Sequence, residues 1–367
     1  MSAARVKSGF EPGWGERGFF NANGLRTAFQ RAGPRGAPVV ILLHGSPESA
    51  DALSPIAERL IAHFDVIGLD TPGNGLSEGL PLNEPSSEDY ADQLGHVLDG
   101  FGVTRAGLYG FHTGAGTAMS FALSRPERVS ALALDGYAVW TAAERADLLA
   151  NYLLTYPPVW DGSHLIQTWA RLDEQLIFFP WYDTRLAARM PAGAVALEVR
   201  LRRLRDWLLA WQSYVKPYRA AFKRRGEIGP DQVSAPTLIG AMDRDPLSVH
   251  LDRLQDCAAS VEIRGWGDDR EAALSTMQAH LKACPGAPAN GEPAPASPPV
   301  FAEPPPGLSW KPDEHGGFLV ALWAAIRRHA LEAARSEAEL AAALDPEVLQ
   351  AQLLAHIAQH TGLAPRR

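Results

Sequence analysis

Leu108-Tyr109-Gly110-Phe111-His112-Thr113-Gly114-Ala115-Gly116 reads as a short apolar strand that runs into a tight Gly-x-His-x-Gly turn and then into a helix of small residues, Thr113 to Leu123. Gly110 and Gly114 stand two positions either side of His112. That spacing suits a residue held in a strained backbone conformation, which leaves no room for neighbouring side chains. The turn therefore presents an imidazole at the mouth of a strand.

The flanking sequence repeats the strand-then-helix rhythm. Phe19 to Ala32 carries Asn23-Gly24 between two short runs, a hairpin signal. Pro38 to Leu43 is a continuous apolar run suited to a strand covered on both faces, and Asp65 to Leu69 is the next. A helical pattern from Ala50 to His63 separates them. Ser86-Ser87-Glu88-Asp89 opens a helix to about Phe101 with a capping-box start. Val129 to Leu134, Ala235 to Gly240 and Ser260 to Arg264 complete the strands, and such alternation predicts a doubly wound, mostly parallel α/β sheet.

Between Tyr137 and Gly229 the rhythm stops. The segment is dense in Trp, Tyr, Leu and Arg at helical spacing, which predicts an inserted helical cap. The domain reading is a core of 19–136 and 230–335, a cap of 137–229 and a helical extension of 336–367. Within the second core part, the Pro, Ala and Gly content of 285–308 marks an irregular loop. A helix is expected from Leu247 to Cys257 and another from Phe318 to about Arg335. The last amphipathic helix, roughly Pro346 to His360, is placed outside the core or at a subunit contact, that is, a homodimer.

Composition narrows the function classes. The formal charge is -8 without any basic run, which disfavours nucleic acid and anionic membranes as partners. Met1 to Glu16 has no apolar signal-like core, so a cytoplasmic protein acting on a small molecule is the expectation. Cys257 and Cys284 read as free thiols. His356 and His360 make the one His-x-x-x-His pattern, with no acid or cysteine to complete a metal site, and no phosphate-cradling glycine loop precedes a Lys-Ser or Lys-Thr pair. Neither a metal nor a cofactor is expected.

Three separated motifs carry a resemblance: His44-Gly45-Ser46-Pro47, the Asp70 to Ser77 segment of Asp-x-Pro-Gly-x-Gly-x-Ser form, and the turn at His112. Together they resemble the α/β-hydrolase fold with a helical cap, of the epoxide-hydrolase and carbon–carbon-bond hydrolase type, over roughly Phe19 to Ala330. The resemblance makes the His112 turn a nucleophile elbow with His where relatives have Ser. It implies an oxyanion hole from the backbone N–H groups of Ser46 and Thr113. It also implies a catalytic acid at Asp243, in Gly240-Ala241-Met242-Asp243, with Asp135 and Asp245 as alternatives, and a catalytic histidine at His315. His44 is read as a support of its turn. In the cap, His164, Trp160 and Trp181 would line the substrate pocket, while Arg200 to Arg205 read as a solvated face.

A neutral imidazole at position 112 could attack an acyl carbon or serve as a general base. The function so implied is a cofactor-independent hydrolase of an ester, related acyl or C–C bond in a small, mainly apolar substrate. An inactive ligand-binding protein on the same fold is one alternative. A cofactor-free lyase or oxygenase using a histidine base is another.

Overall fold

The computed structural model describes residues 13–191 and 195–363. Eight strands form one sheet: β1 (Glu16–Ala22), β2 (Leu25–Ala32), β3 (Val39–Leu43), β4 (Asp65–Leu69), β5 (Ala106–Phe111), β6 (Val129–Asp135), β7 (Thr237–Ala241) and β8 (Val261–Gly265). Their order is β1-β2-β4-β3-β5-β6-β7-β8. The β1–β2 and β2–β4 pairs are antiparallel and every later pair is parallel. The first hairpin closes at Asn23 and Gly24, both at positive φ, which matches the right-handed twist of its strands.

The central strands are apolar throughout because helices cover both faces. Along β3, Val39, Ile41 and Leu43 enter one core layer and Val40 and Leu42 the other. The first layer is closed by α2 (Ser87–Gly100) and α3 (Thr113–Ser124), the second by α1 (Ser54–Leu60) and α8 (Arg270–Ala283). The Ser86/Asp89 capping box starts α2 as the sequence predicts. The Ala50 stretch begins with a 3-10 turn before α1, and the helix expected over Leu247 to Cys257 shrinks to a 3-10 turn at Ser248–Arg253.

The chain forms two compact units. The sheet unit holds 13–153 and 213–298, and so includes α4 (Ala142–Asn151) and α7 (Val215–Lys223) from the expected cap. The helical unit combines 154–212, with α5 (Ser163–Ile177) and α6 (Leu197–Leu209), and residues from 299 onward, with α9 (Gly317–Ala333), α10 (Glu337–Leu344) and α11 (Pro346–His360). Thus α9, expected in the core, packs on α5 and α11 instead. Helix α11 is an interior element of the helical unit, burying Leu349, Leu353 and Ile357.

The segment expected as an irregular loop is a strap within the sheet unit up to residue 298. The Val39 N–H donates to the Ala287 carbonyl and the Ala287 N–H to that of Arg105. Further on, the Gly291, Asn21 and Ala296 amides bond the Phe101, Ala294 and Phe19 carbonyls. Proline cannot donate to a ladder, so the strap uses its intervening residues. Among the described residues, no helix is long and apolar enough to cross a membrane.

Candidate active site

The C-terminal ends of β3, β5, β6, β7 and β8 lie along one edge of the sheet, the usual ligand edge of a parallel α/β sheet. At the end of β5 the elbow is sharp: His112 has φ 48° and ψ −109°. A Cβ on Gly110 would lie 2.6 Å from Ala115 Cα, and one on Gly114 would lie 2.4 Å from the Leu43 carbonyl oxygen. The glycines are thus required by close approach. The His112 carbonyl caps α3 by accepting from the Ala115 and Gly116 amides.

The His112 ring stacks on Phe111 with centroids 3.9 Å apart, and its Nε2 donates to Asp245 Oδ2 at 2.7 Å. Gly136, at φ 73°, makes the space: a Cβ there would stand 2.3 Å from His112 Cδ2. The other oxygen of Asp245 accepts from the Leu247 N–H at 2.8 Å, so the carboxylate is fixed from both sides. The side chains are 30% and 11% exposed. Burial opposes charge on both. The mutual attraction and hydrogen bond prevail, raising the His112 pKa, with help from Asp135 and Glu48, and lowering that of Asp245, with help from the Leu247 amide and Arg270. His112 Nδ1 has no hydrogen-bond partner among the described residues.

Asp243 does not meet His112. Its side chain is exposed, and its backbone N–H and carbonyl bond Gly267 and Ser248 Oγ. The turn after β7 carries the chain two residues further before a carboxylate faces the elbow. Asp135, at the end of β6, is committed elsewhere. Fully buried, it accepts from Arg270 at 2.6 Å, the Tyr109 hydroxyl at 3.0 Å and Trp266 Nε1 at 3.3 Å. Burial, then the Asp135 charge, pushes the Tyr109 pKa well up.

His315 lies in the helical unit, exposed, in a turn whose amide donates to Asp313. In the sheet unit the chain leaves β8 as Trp266-Gly267-Asp268-Asp269-Arg270 and enters α8 without a histidine. The strap then carries it away from the strand ends, which is why counting to the next suitable histidine reached another unit. Missed in sequence were Arg270, which neutralises Asp135, and His250. His250 is buried, accepts the Val139 N–H at 2.9 Å, and stands within range of the His112 and Asp245 charges. Burial and Arg253 push its pKa down to about 4, so near neutral pH it is an uncharged ring. No local pattern marks either residue.

Hydrogen bonds tie the turn motifs together. His44 donates from Nδ1 to the Gly45 carbonyl and accepts the Thr71 N–H at Nε2. Asp70 accepts the Ala50 and Leu76 amides, and Ser77 Oγ links the Asp70 carbonyl to the Ala28 N–H. The Ser46 N–H donates to Thr113 Oγ1 at 2.7 Å.

In the helical unit, His164 is 1% exposed, accepts the Val159 N–H and meets Trp323 edge-on. It is a core histidine there, its pKa lowered by burial. Trp181 is buried with the Arg171 guanidinium 4.2 Å above its ring, whereas Trp160 is exposed. Arg205, expected on a solvated face, is buried beside Asp206 and donates to the Thr361 carbonyl.

Comparison with known proteins agrees with this architecture. Over 246 residues the chain is 30% identical to the 2-hydroxy-6-oxononadienedioate/2-hydroxy-6-oxononatrienedioate hydrolase of Klebsiella pneumoniae, covering 61% of this chain and 78% of that protein. A match to an uncharacterized hydrolase of Saccharomyces cerevisiae, 27% identical, spans only 38% of that protein and 30% of this chain. Epoxide hydrolase A from Mycobacterium thermoresistibile superposes with a TM-score of 0.58 at 19% identity, over 74% of this chain and 99% of that one. A bacterial membrane phospholipase A superposes at 0.57 and 19% identity, over 76% and 88%. At such identity these structures speak to the fold alone. The family model for the alpha/beta hydrolase fold matches residues 38–260, more than half of the chain, and with this sheet order and elbow the chain belongs to that family.

Proposed function

We propose that this protein is a cofactor-independent hydrolase of carbonyl substrates, esters or C–C bonds beside a ketone, in which His112 is a general base held by Asp245. The observation that carries the reading is the 2.7 Å bond from His112 Nε2 to Asp245. It fixes the Nε2–H tautomer of the uncharged ring and leaves the lone pair on Nδ1. Nδ1 stands one bond farther along the side chain than a serine hydroxyl would. That extra reach favours a water between imidazole and substrate over direct attack.

His112 Nδ1 takes a proton from water as the water oxygen bonds to the carbonyl carbon. The resulting oxyanion is stabilised by the Ser46 and Thr113 amides. Collapse breaks the bond to the leaving group, which receives the proton back from Nδ1. The C–C alternative draws on the name of the Klebsiella relative, an oxo-acid hydrolase.

Hydrolysis of p-nitrophenyl acetate, followed with intact-mass sampling, tests the reading. His112→Ala is expected to lose at least about 100-fold of turnover, the scale of general-base catalysis. The wild type is expected to show no acetyl adduct. An adduct on His112 would move the imidazole to the nucleophile's role, and undiminished turnover in the variant would remove it from the mechanism. A ligand-binding protein without turnover is the second reading. It draws on His315, the catalytic histidine the resemblance implies, being an exposed residue of the helical unit.

A further inference from the structure

The oxyanion turn is filled by the chain's own hydroxyl. Thr113 Oγ1 accepts the Ser46 N–H at 2.7 Å and donates onward to Ser46 Oγ at 3.2 Å. Beside this pair lies a cavity of about 20 Å³ lined by Ser46, Thr71, Ser87, Tyr90, Thr113 and Thr117. It has room for one water or one hydroxyl group. Tyr90 is only 5% exposed, yet its hydroxyl has no hydrogen-bond partner among the described residues. Burial, then the Asp89 charge, raises its pKa, so it stays a phenol able to donate. That hydroxyl stays reachable by water, and Tyr90 and Thr113 line the same cavity, whose volume suits one hydroxyl group.

We propose that Thr113 is a two-position latch on the oxyanion turn, displaced into the Tyr90 cavity when a carbonyl or carboxylate oxygen takes the Ser46 amide. Threonine suits the part, because in a helix its χ1 divides between two rotamers and its hydroxyl can both accept and donate. At rest the hydroxyl spares the Ser46 amide from being unpaired. In the displaced position it meets the Tyr90 hydroxyl. Thr113 and Tyr90 side chains are then positioning residues that act through the Ser46 amide, setting how strongly the turn binds an oxygen anion. The inference rests on the hydrolase reading, for it gives that reading's oxyanion hole a resident occupant, but its test does not need turnover.

Acetate is the probe, and the Ser46 amide resonance of the ¹⁵N-labelled full chain is the readout. In the wild type, acetate is expected to shift that resonance. Thr113→Ala is expected to move it already without acetate and to bind acetate about fivefold more tightly, the weight of one neutral hydrogen bond. Thr113→Ser restores the hydroxyl and should return acetate affinity toward the wild-type value. Tyr90→Phe should leave the resting resonance in place and weaken acetate about fivefold. The latch is overturned if acetate leaves the Ser46 amide unmoved, if Thr113→Ala binds acetate no more tightly, or if Tyr90→Phe binds it no more weakly. Should Thr113→Ala not fold, Tyr90→Phe decides alone. Ester hydrolysis measured on the same samples separates the two ideas: absent hydrolysis with the acetate pattern intact sinks the hydrolase reading, and the reverse sinks the latch.

Discussion

Asp245→Asn removes one charge from the site while keeping the shape and an accepting oxygen. A hydrogen bond to a charged partner contributes about 1.5–3 kcal/mol and a neutral one about 0.5–1.5, so the substitution is expected to cost roughly 1–2 kcal/mol. Little of this is lost to solvent, because the two side chains are 30% and 11% exposed. For a large domain that corresponds to roughly 2–5 °C in Tm. The pH dependence is the sharper signature. Burial opposes the His112 charge, but Asp245, with Asp135 and Glu48, more than offsets it and raises the pKa above the ordinary 6.5. The contribution of His112 is therefore fully present below 6.5 and fades as pH climbs through the folded value. Asp245 is lowered from 3.8 despite burial, mainly by His112, so its contribution is present above 3.8 and fades as pH falls through its folded value. The Tm difference between wild type and variant should peak between those two pH values and shrink on either side. Scanning fluorimetry of both proteins from pH 3 to 9 measures it. A difference that is constant across the range, or absent, would refute the ion pair as the source of the site's electrostatics.

Turnover of an ester should rise with pH through an apparent pKa above 6.5, because the base form of His112 is the deprotonated one and its pKa is raised; a flat profile would count against the imidazole as base. Gly136→Ala puts a Cβ within 2.3 Å of the His112 ring at a φ of 73°, so ester turnover should fall at least tenfold with the fold retained by circular dichroism. Arg270→Leu leaves the buried Asp135 carboxylate without its counter-charge and should destabilise the sheet unit by about 3–5 kcal/mol in denaturant titration, while Asp135→Asn combined with Arg270→Leu should recover part of the loss.

Legibility followed the range of the interactions. The elbow, the Asn23-Gly24 hairpin and the Ser86 capping box are decided within a few residues, by glycine clearance, positive φ and one side chain reaching three positions along. Strand identity was equally local, since a run such as Val39 to Leu43 buried on both faces must be apolar throughout. The carboxylate that meets His112 was not decided locally. Asp243 and Asp245 share one turn, and only the Leu247 amide and the ring across the sheet edge distinguish them. His164 and Arg205 likewise read as pocket and surface residues because nothing in α5 or α6 alone announces that α9 and α11 pack beside them.

The same difference of range explains how an elbow histidine can stand without a histidine at 266–270. In the serine arrangement a hydroxyl needs a separate imidazole to take its proton and an acid to orient that imidazole. With imidazole on the elbow itself, the base and carboxylate of the proposed function are in direct contact at 2.7 Å, and that function needs no third group between them. The proposed function asks no catalytic duty of the loop after β8, whose Arg270 pairs with the buried Asp135. Under the proposed function, a histidine on the elbow and the absence of one at 266–270 have a single explanation. Restoring the hydroxyl alone follows from this as an empty gesture: His112→Ser would face Asp245 with no imidazole between them, and a fluorophosphonate probe should leave it unlabelled. Labelling of that serine would mean that another base already serves the elbow, and the direct His112–Asp245 couple would lose its claim to be the working one.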